Sequence, residues 1–75
     1  MVALSKVRPG LSVRVLKLEV QPELCHRLRE MGFCENSVIR CLQASPACVC
    51  QIQQSRVGLS AQLAHQILVE PVAAG

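Results

Sequence analysis

The chemistry available to this chain is mostly sulfur chemistry. Five cysteines, at positions 25, 34, 41, 48 and 50, are many for 75 residues. Cys48 and Cys50 stand two apart, so on a strand both thiols fall on the same face. Thiolates bind soft and borderline cations, and Cys25, His26 and Cys34 add further donors, which makes Cys25, Cys34, Cys48 and Cys50 the candidate metal ligands. The spacing argues against a structural zinc site, which wants two thiol pairs, each with about two to four residues between its members. Cys25 and His26 are neighbours on a helix and diverge by roughly 100° around its axis, so they do not chelate one ion together. Cys41 and Cys50 occupy positions where alternation asks for an apolar side chain, and free cysteine is among the most buried residue types. Cys25 and Cys34, bordering a helix, are expected to be the exposed thiols, open to oxidation or to a metal.

Other chemistries find less support. Serines occur at 5, 12, 37, 45, 55 and 60, none within Gly-x-Ser-x-Gly, and the chain has no aspartate to stand behind His26 or His65. A cysteine paired with either histidine would still need a substrate cavity, which a domain this thin hardly provides. The glycines at 10, 32, 58 and 75 lie too far apart to form a phosphate-binding loop. No enzyme is expected. Arg27 and Arg29, with Met31, Phe33 and Cys34 beside them, form instead a mixed patch suited to a negative or apolar protein surface, set against an ordinary solvated helix face.

These residues must be positioned by short elements. Pro9-Gly10 marks a turn leading into a strand over 11–20, where Val13 and Val15 lie on one face and Leu16, Leu18 and Val20 on the other. The period slips between Val15 and Leu16, as at a bulge. Pro22 and Glu23 open a helix over 22–31 that carries Leu24, Leu28 and Met31, with Gly32 capping its end. On it Glu23 and Arg27, and His26 and Glu30, are spaced for ion pairs. Asn36 turns the chain in a left-handed conformation into a strand over 38–44, with Ile39 and Cys41 facing one way. A strand over 48–53 follows, in which Cys48, Cys50 and Ile52 share a face, then a turn at Gln54-Ser55 and a return strand over 56–59. Ser60 caps a short helical turn through Ala64, and Ile67 to Val69 form the last strand. The connections are too short for parallel crossovers, so the fold class is all-β with slight α+β character, a small antiparallel barrel in one domain spanning 1–75.

Half of the residues are apolar, yet Phe33 is the only aromatic, so Val, Leu, Ile, Ala and Cys must fill the core. A chain of this size buries only about 60% of the surface it exposes when unfolded. Every apolar stretch is interrupted well short of the roughly 20 residues of a membrane helix. The start of the chain lacks a signal-peptide pattern, so a cytoplasmic location is expected, and an odd cysteine count there implies reduced thiols. The net charge of +3 is spread along the chain. With one aromatic, the stacking platform by which small barrels hold single-stranded nucleic acid is missing.

Leu4-x-x-Val7-x-Pro9-Gly10, Arg27-Leu28-x-Glu30-Met31-Gly32-Phe33, Arg56-Val57-x-Leu59 and Ala64-x-x-Ile67-x-Val69, in this order along nearly the whole chain, resemble the FeoA family. The Arg-Leu-x-x-Met-Gly-Phe segment is the most specific part. The resemblance implies an SH3-like antiparallel β-barrel with one inserted helix and a short C-terminal helical turn. It also implies a bacterial accessory of ferrous iron uptake, without cofactor or catalytic residues, that docks to the cytosolic, GTPase-containing region of the FeoB transporter. Such a protein would be recruited to the inner face of the membrane by its partner without inserting. Arg27, Arg29, Met31, Phe33 and Cys34, in or beside the signature, would carry the contact. Where family members often place Pro-Gly after the signature this chain has Glu35-Asn36, and Ser45-Pro46-Ala47-Cys48 replaces a Pro-Leu-Gly-Asp-Pro loop. One alternative stays open, a small thiol-based metal-binding protein using Cys48, Cys50 and one of Cys25 or Cys34; FeoA-like modules also form the C-terminal part of DtxR-type metal-responsive repressors, but no helix-turn-helix precedes this one. Self-association is also left open.

Overall fold

The computed structural model describes residues 1–72. Its elements are β1 (Val2–Ala3), a 3-10 turn (Leu4–Lys6), β2 (Ser12–Leu18), α1 (Pro22–Glu30), β3 (Val38–Gln43), β4 (Cys48–Ile52), β5 (Ser55–Leu59), α2 (Ala61–His65) and β6 (Ile67–Pro71). The strands form one antiparallel six-stranded sheet in the order β1-β6-β2-β3-β4-β5. This is the expected SH3-like architecture, with the difference that the barrel is not closed: among the described residues no ladder joins β1 to β5.

Alternation decides which side chains enter. Val13 and Val15 of β2, Ile39 and Cys41 of β3, Cys48, Cys50 and Ile52 of β4, Leu59 of β5, and Ile67 and Val69 of β6 are all buried. The slip at Val15-Leu16 is a bulge, because Val15 pairs with Val69 while Lys17 pairs with Leu68. The extra residue bends β2, as a curled sheet of few strands requires. A second irregularity lies between Cys41 and Gln43 on β3.

Strand ends move by a residue or two, β2 ending at Leu18 where Val20 was expected and β6 running on to Pro71, and three further expectations shift. The first strand pairing begins earlier than read, since Val2–Ala3 adds β1 against β6, a two-residue segment too short to show a period. The β4–β5 hairpin turns at Gln53-Gln54, not Gln54-Ser55, because Ile52 pairs with Ser55. Gln53 takes φ 55°, which glutamine rarely adopts and which hid the turn from its composition. The helix ends at Glu30, with Met31 as C-cap.

That helix end fixes the rest of the molecule. Gly32 at φ 104° lets its N–H reach the Arg29 carbonyl at 3.0 Å while the Phe33 N–H reaches that of Leu28 at 2.8 Å. This is a Schellman motif, whose accompanying apolar contact joins the residues that make the outer bond. Here those residues are Leu28 and Phe33, 1% and 0% exposed. Asn36 at φ 73° then turns the chain, and its N–H bonds the Val15 carbonyl at 2.7 Å, tying the end of the insertion back to β2. Ser60 caps α2 as expected, its hydroxyl accepting from the Leu63 N–H at 3.1 Å.

A Cβ on Gly32 would lie 2.8 Å from Ile52 Cγ2 in addition to straining the backbone, whereas Gly10 has positive φ but open space and Gly58 neither constraint. Chemical denaturation should therefore rank three alanine variants. Gly32→Ala loses roughly 2–3 kcal/mol, Gly10→Ala about 1 kcal/mol, and Gly58→Ala stays within about 0.5 kcal/mol of the parent. Equal losses at positions 32 and 10 would refute the steric role given to Ile52.

Candidate docking surface and the thiol cluster

Packing separates the candidate site residues into two groups. Leu28 and the partly buried Leu24 turn one stripe of α1 onto the core. The same helical spacing leaves Glu23, His26, Arg27, Arg29 and Glu30 exposed, and Met31 follows at 43% exposure. Arg27 and Arg29 lie in the last turn, where cations complement the helix dipole. Cys34 is half-buried in the following turn, its Sγ 3.2 Å from the Ser37 hydroxyl.

Phe33 does not belong with them. Its side chain is fully buried, so it anchors the helix end from within and is withdrawn from the exposed helix face. The residue type misled: a lone aromatic beside arginines resembles an interface anchor, but in a chain with one aromatic the core claims it first.

The electrostatics of this face rest on two exposed ion pairs. His26 Nε2 lies 3.0 Å from Glu30 as expected, and Arg29 donates to both carboxylate oxygens of Glu35 at 2.9 and 3.2 Å. The second pair was not foreseen, because it spans the helix end and needs the turn at Gly32 to bring Glu35 back. The expected Glu23–Arg27 pair is not among the ion pairs of the described residues, which leaves Arg27 the unpaired arginine of this face. Bonding to its own backbone N–H and then to Arg29 holds the Glu35 carboxyl below the usual carboxylate range. Pro22, Glu23, His26, Arg27 and Glu30 line a shallow depression on the same helix.

The remaining thiols lie in the core. Cys41, Cys48 and Cys50 are each 0% exposed, with Cys48 Sγ 3.6 Å from Cys50 Sγ and Cys41 directly across the ladder from Cys50. The Cys41 thiol points toward the carbonyls of Gln43 at 3.6 Å and Val7 at 3.9 Å. Burial pushes the Cys41 thiol up, and the neighbouring Cys48 and burial together push Cys50 up. The donor set of a thiol metal carrier is not assembled. Cys25 and Cys34 stand at the helix beside Arg29, away from the buried pair, and among the described residues no three His, Cys, Asp or Glu side chains are placed to hold a metal ion. Ser5 Oγ and His65 Nδ1 approach to 3.5 Å across the chain, too long for a hydroxyl hydrogen bond.

A small antiparallel barrel of SH3-like form, with a helix inserted between paired strands and an outer helix face of mixed charge, defines the class. A protein-family model for the FeoA domain matches residues 2–71, and the chain belongs to the FeoA family. Among solved structures, iron(II) transport protein A from Clostridium thermocellum superposes with TM-score 0.83 at 36% identity, over 93% of this chain and 45% of that one. The chain thus spans less than half the length of that relative. A protein described as iron uptake regulatory protein (FeoA) gives TM-score 0.85 at 21% identity, over 95% and 96% of the two chains. The IdeR protein of T. acidophilum contains the same fold, with TM-score 0.84 at 14% identity over 34% of its length. A search of curated proteins finds no match. No helix among the described residues is long and apolar enough to cross a membrane.

Two measurements check this arrangement. In the native protein a thiol reagent such as DTNB should label Cys25 and Cys34 and reach Cys41, Cys48 and Cys50 only on unfolding; rapid labelling of the second group would contradict their burial. In an NMR titration, Arg29→Ala should move the Glu35 pKa upward but not wholly back, since the backbone bond is the larger cause. The sign follows from the lowered carboxyl: the pair's contribution is present above the unfolded carboxylate pKa and is lost as pH falls through the folded one.

Proposed function

We propose that this protein is a non-enzymatic accessory of bacterial ferrous iron uptake that docks to the cytosolic, GTPase-containing region of a FeoB-like transporter. The family match over residues 2–71 is the observation that carries this reading, and the 36% identical relative named as an iron(II) transport protein supports it. The docking face is Arg27, Arg29, Met31 and the accessible edge of Cys34. Its cations stand on a helix whose end is locked by the Gly32-Phe33 turn, so little side-chain and backbone order has to be created on binding. Met31 supplies an exposed apolar contact at the helix end. The protein would act in the cytoplasm, at the inner membrane face, held there by its partner.

The net charge of +3 favours an acidic patch on that partner and a rate of association that falls with salt. Arg27 and Arg29 are not equivalent in this scheme. Arg29 is already engaged by Glu35, whereas Arg27 is free to pair across an interface. In a pulldown or calorimetric titration with the transporter's cytosolic region, Arg27→Glu should weaken binding about tenfold and Arg29→Glu less. Full-strength binding by the doubly reversed protein would exclude this face as the contact.

A further inference from the structure

The strand β5 is an open edge of the sheet. Ile52 and Ser55 flank the two-residue turn Gln53-Gln54 and are opposite one another, which makes them a hydrogen-bonded pair. Opposed pairs alternate along an antiparallel ladder, so Cys50–Val57 and Cys48–Leu59 are bonded pairs, and Gln51–Arg56 and Val49–Gly58 are not. The N–H and C=O groups of Arg56 and Gly58 therefore point away from β4. None of the backbone bonds made by loops, turns and caps among the described residues uses them. Both residues are exposed, and the space around Gly58 is open. Exposed edges of this kind are templates for another strand, and they are commonly blunted by proline, a bulge or an inward charge. β5 has none of these three, and its only charge is the outward Arg56.

We propose that β5 pairs antiparallel with β5 of a second copy of this chain, about a two-fold axis through Val57. The register follows from three constraints. Only Arg56 and Gly58 offer outward backbone groups within the strand, so bonded pairs across the axis must be drawn from these two. Placing Arg56 opposite Arg56 sets like charges against each other, which is destabilising. Placing Gly58 opposite Gly58 leaves Arg56 facing the cap of α2, beyond the strand end. Centring on Val57 opposes each Arg56 to the Gly58 of the other copy, satisfies both residues' groups in both chains, and gives each arginine stem a glycine to lie over.

The inner face agrees with this register. Val57 is a partly buried residue packed against the core, and the axis brings it beside the other Val57 in a close, non-bonded pair. Its remaining exposed edge is then covered by the same residue of the second copy, as an isologous interface requires. One five-residue strand on another involves far fewer than the roughly 20–30 residues a side of a standard stable interface, so the contact is reversible and set by concentration. The two Arg56 side chains fall on a diagonal of the outer face, about 7–8 Å apart at their bases. Association should therefore strengthen as salt screens them, opposite to the behaviour of the acidic partner contact proposed above.

Sedimentation velocity and NMR diffusion on the full chain at rising concentration test this. The parent should show a concentration-dependent dimer, with β5 amides perturbed. Gly58→Pro removes an outward donor that β4 does not use, and should weaken dimerisation at least roughly tenfold while the amide pattern elsewhere stays native. Arg56→Glu mixed with the parent at low salt should give heterodimer in excess of either homodimer, a result that does not depend on the proline variant folding. A monomer at every concentration, a dimer indifferent to Gly58→Pro in its folded form, or statistical mixing with Arg56→Glu would each overturn the proposal.

Discussion

The absence of one methyl group organises this molecule. Gly32 must adopt a left-handed backbone to close α1, and it must also let Ile52 of β4 approach closer than any side chain at that position would allow. The two demands coincide because the Schellman turn delivers Phe33 directly into the core beneath the helix, beside Leu28. Without that anchor α1 would be an insertion of nine residues on the side of a small sheet, well below the length at which an isolated helix persists in water. With it, the helix is part of the barrel. The signature Arg-Leu-x-x-Met-Gly-Phe is in physical terms the two ends of one apolar contact, the glycine that permits it, and exposed residues carried on the outside.

The buried thiols follow from the same economy. A core with a single aromatic has little large volume to offer, and the inner face of β4 opposes that of β3 at Cys41–Cys50. Residues there must be small, apolar and tolerant of a neighbouring carbonyl, and cysteine meets all three conditions, its weak S–H donor turning toward Gln43 and Val7. The Cys48–Cys50 proximity that suggests a metal site on paper is a consequence of strand alternation, since every second side chain of β4 must point into the barrel. The family's association with iron is therefore no reason to read these sulfurs as ligands. Their surroundings are apolar side chains of the core.

Much of this was legible in the residues because the relevant signals are local. The helix start at Pro22, its glycine stop, the bulge at Val15-Leu16, the left-handed Asn36 and the Ser60 cap each depend on a few adjacent residues and stand where the pattern placed them. What escaped depends on distance. β1 exists only because β6 is there to receive it, and the turn at Gln53 is imposed by the register of β4 on β5 against glutamine's own preference. The Arg29–Glu35 pair needs the helix to end first. The burial of Phe33 is hidden in the sequence for a related reason: proximity to Arg27 and Arg29 says which residues share a segment, while the reversal of direction at Gly32 decides which of them face water.

That reversal also explains how so thin a domain can leave a helix face free for the proposed recognition. A barrel of this size uses nearly every inward position to remain folded, so a binding face has to be made from positions that folding does not need. An inserted helix provides them cheaply, because only its Leu24–Leu28 stripe is committed to the core and the rest of its circumference is free. The open edge of β5 arises by the same logic, as the place where a sheet too short to close leaves backbone groups over. One surface presents side chains and the other presents main chain. They differ in what they can recognise: the helix can discriminate by charge and shape, whereas a strand edge is most selective for a strand whose sequence fits its own spacing, and the Arg56-Val57-Gly58 triplet fits itself.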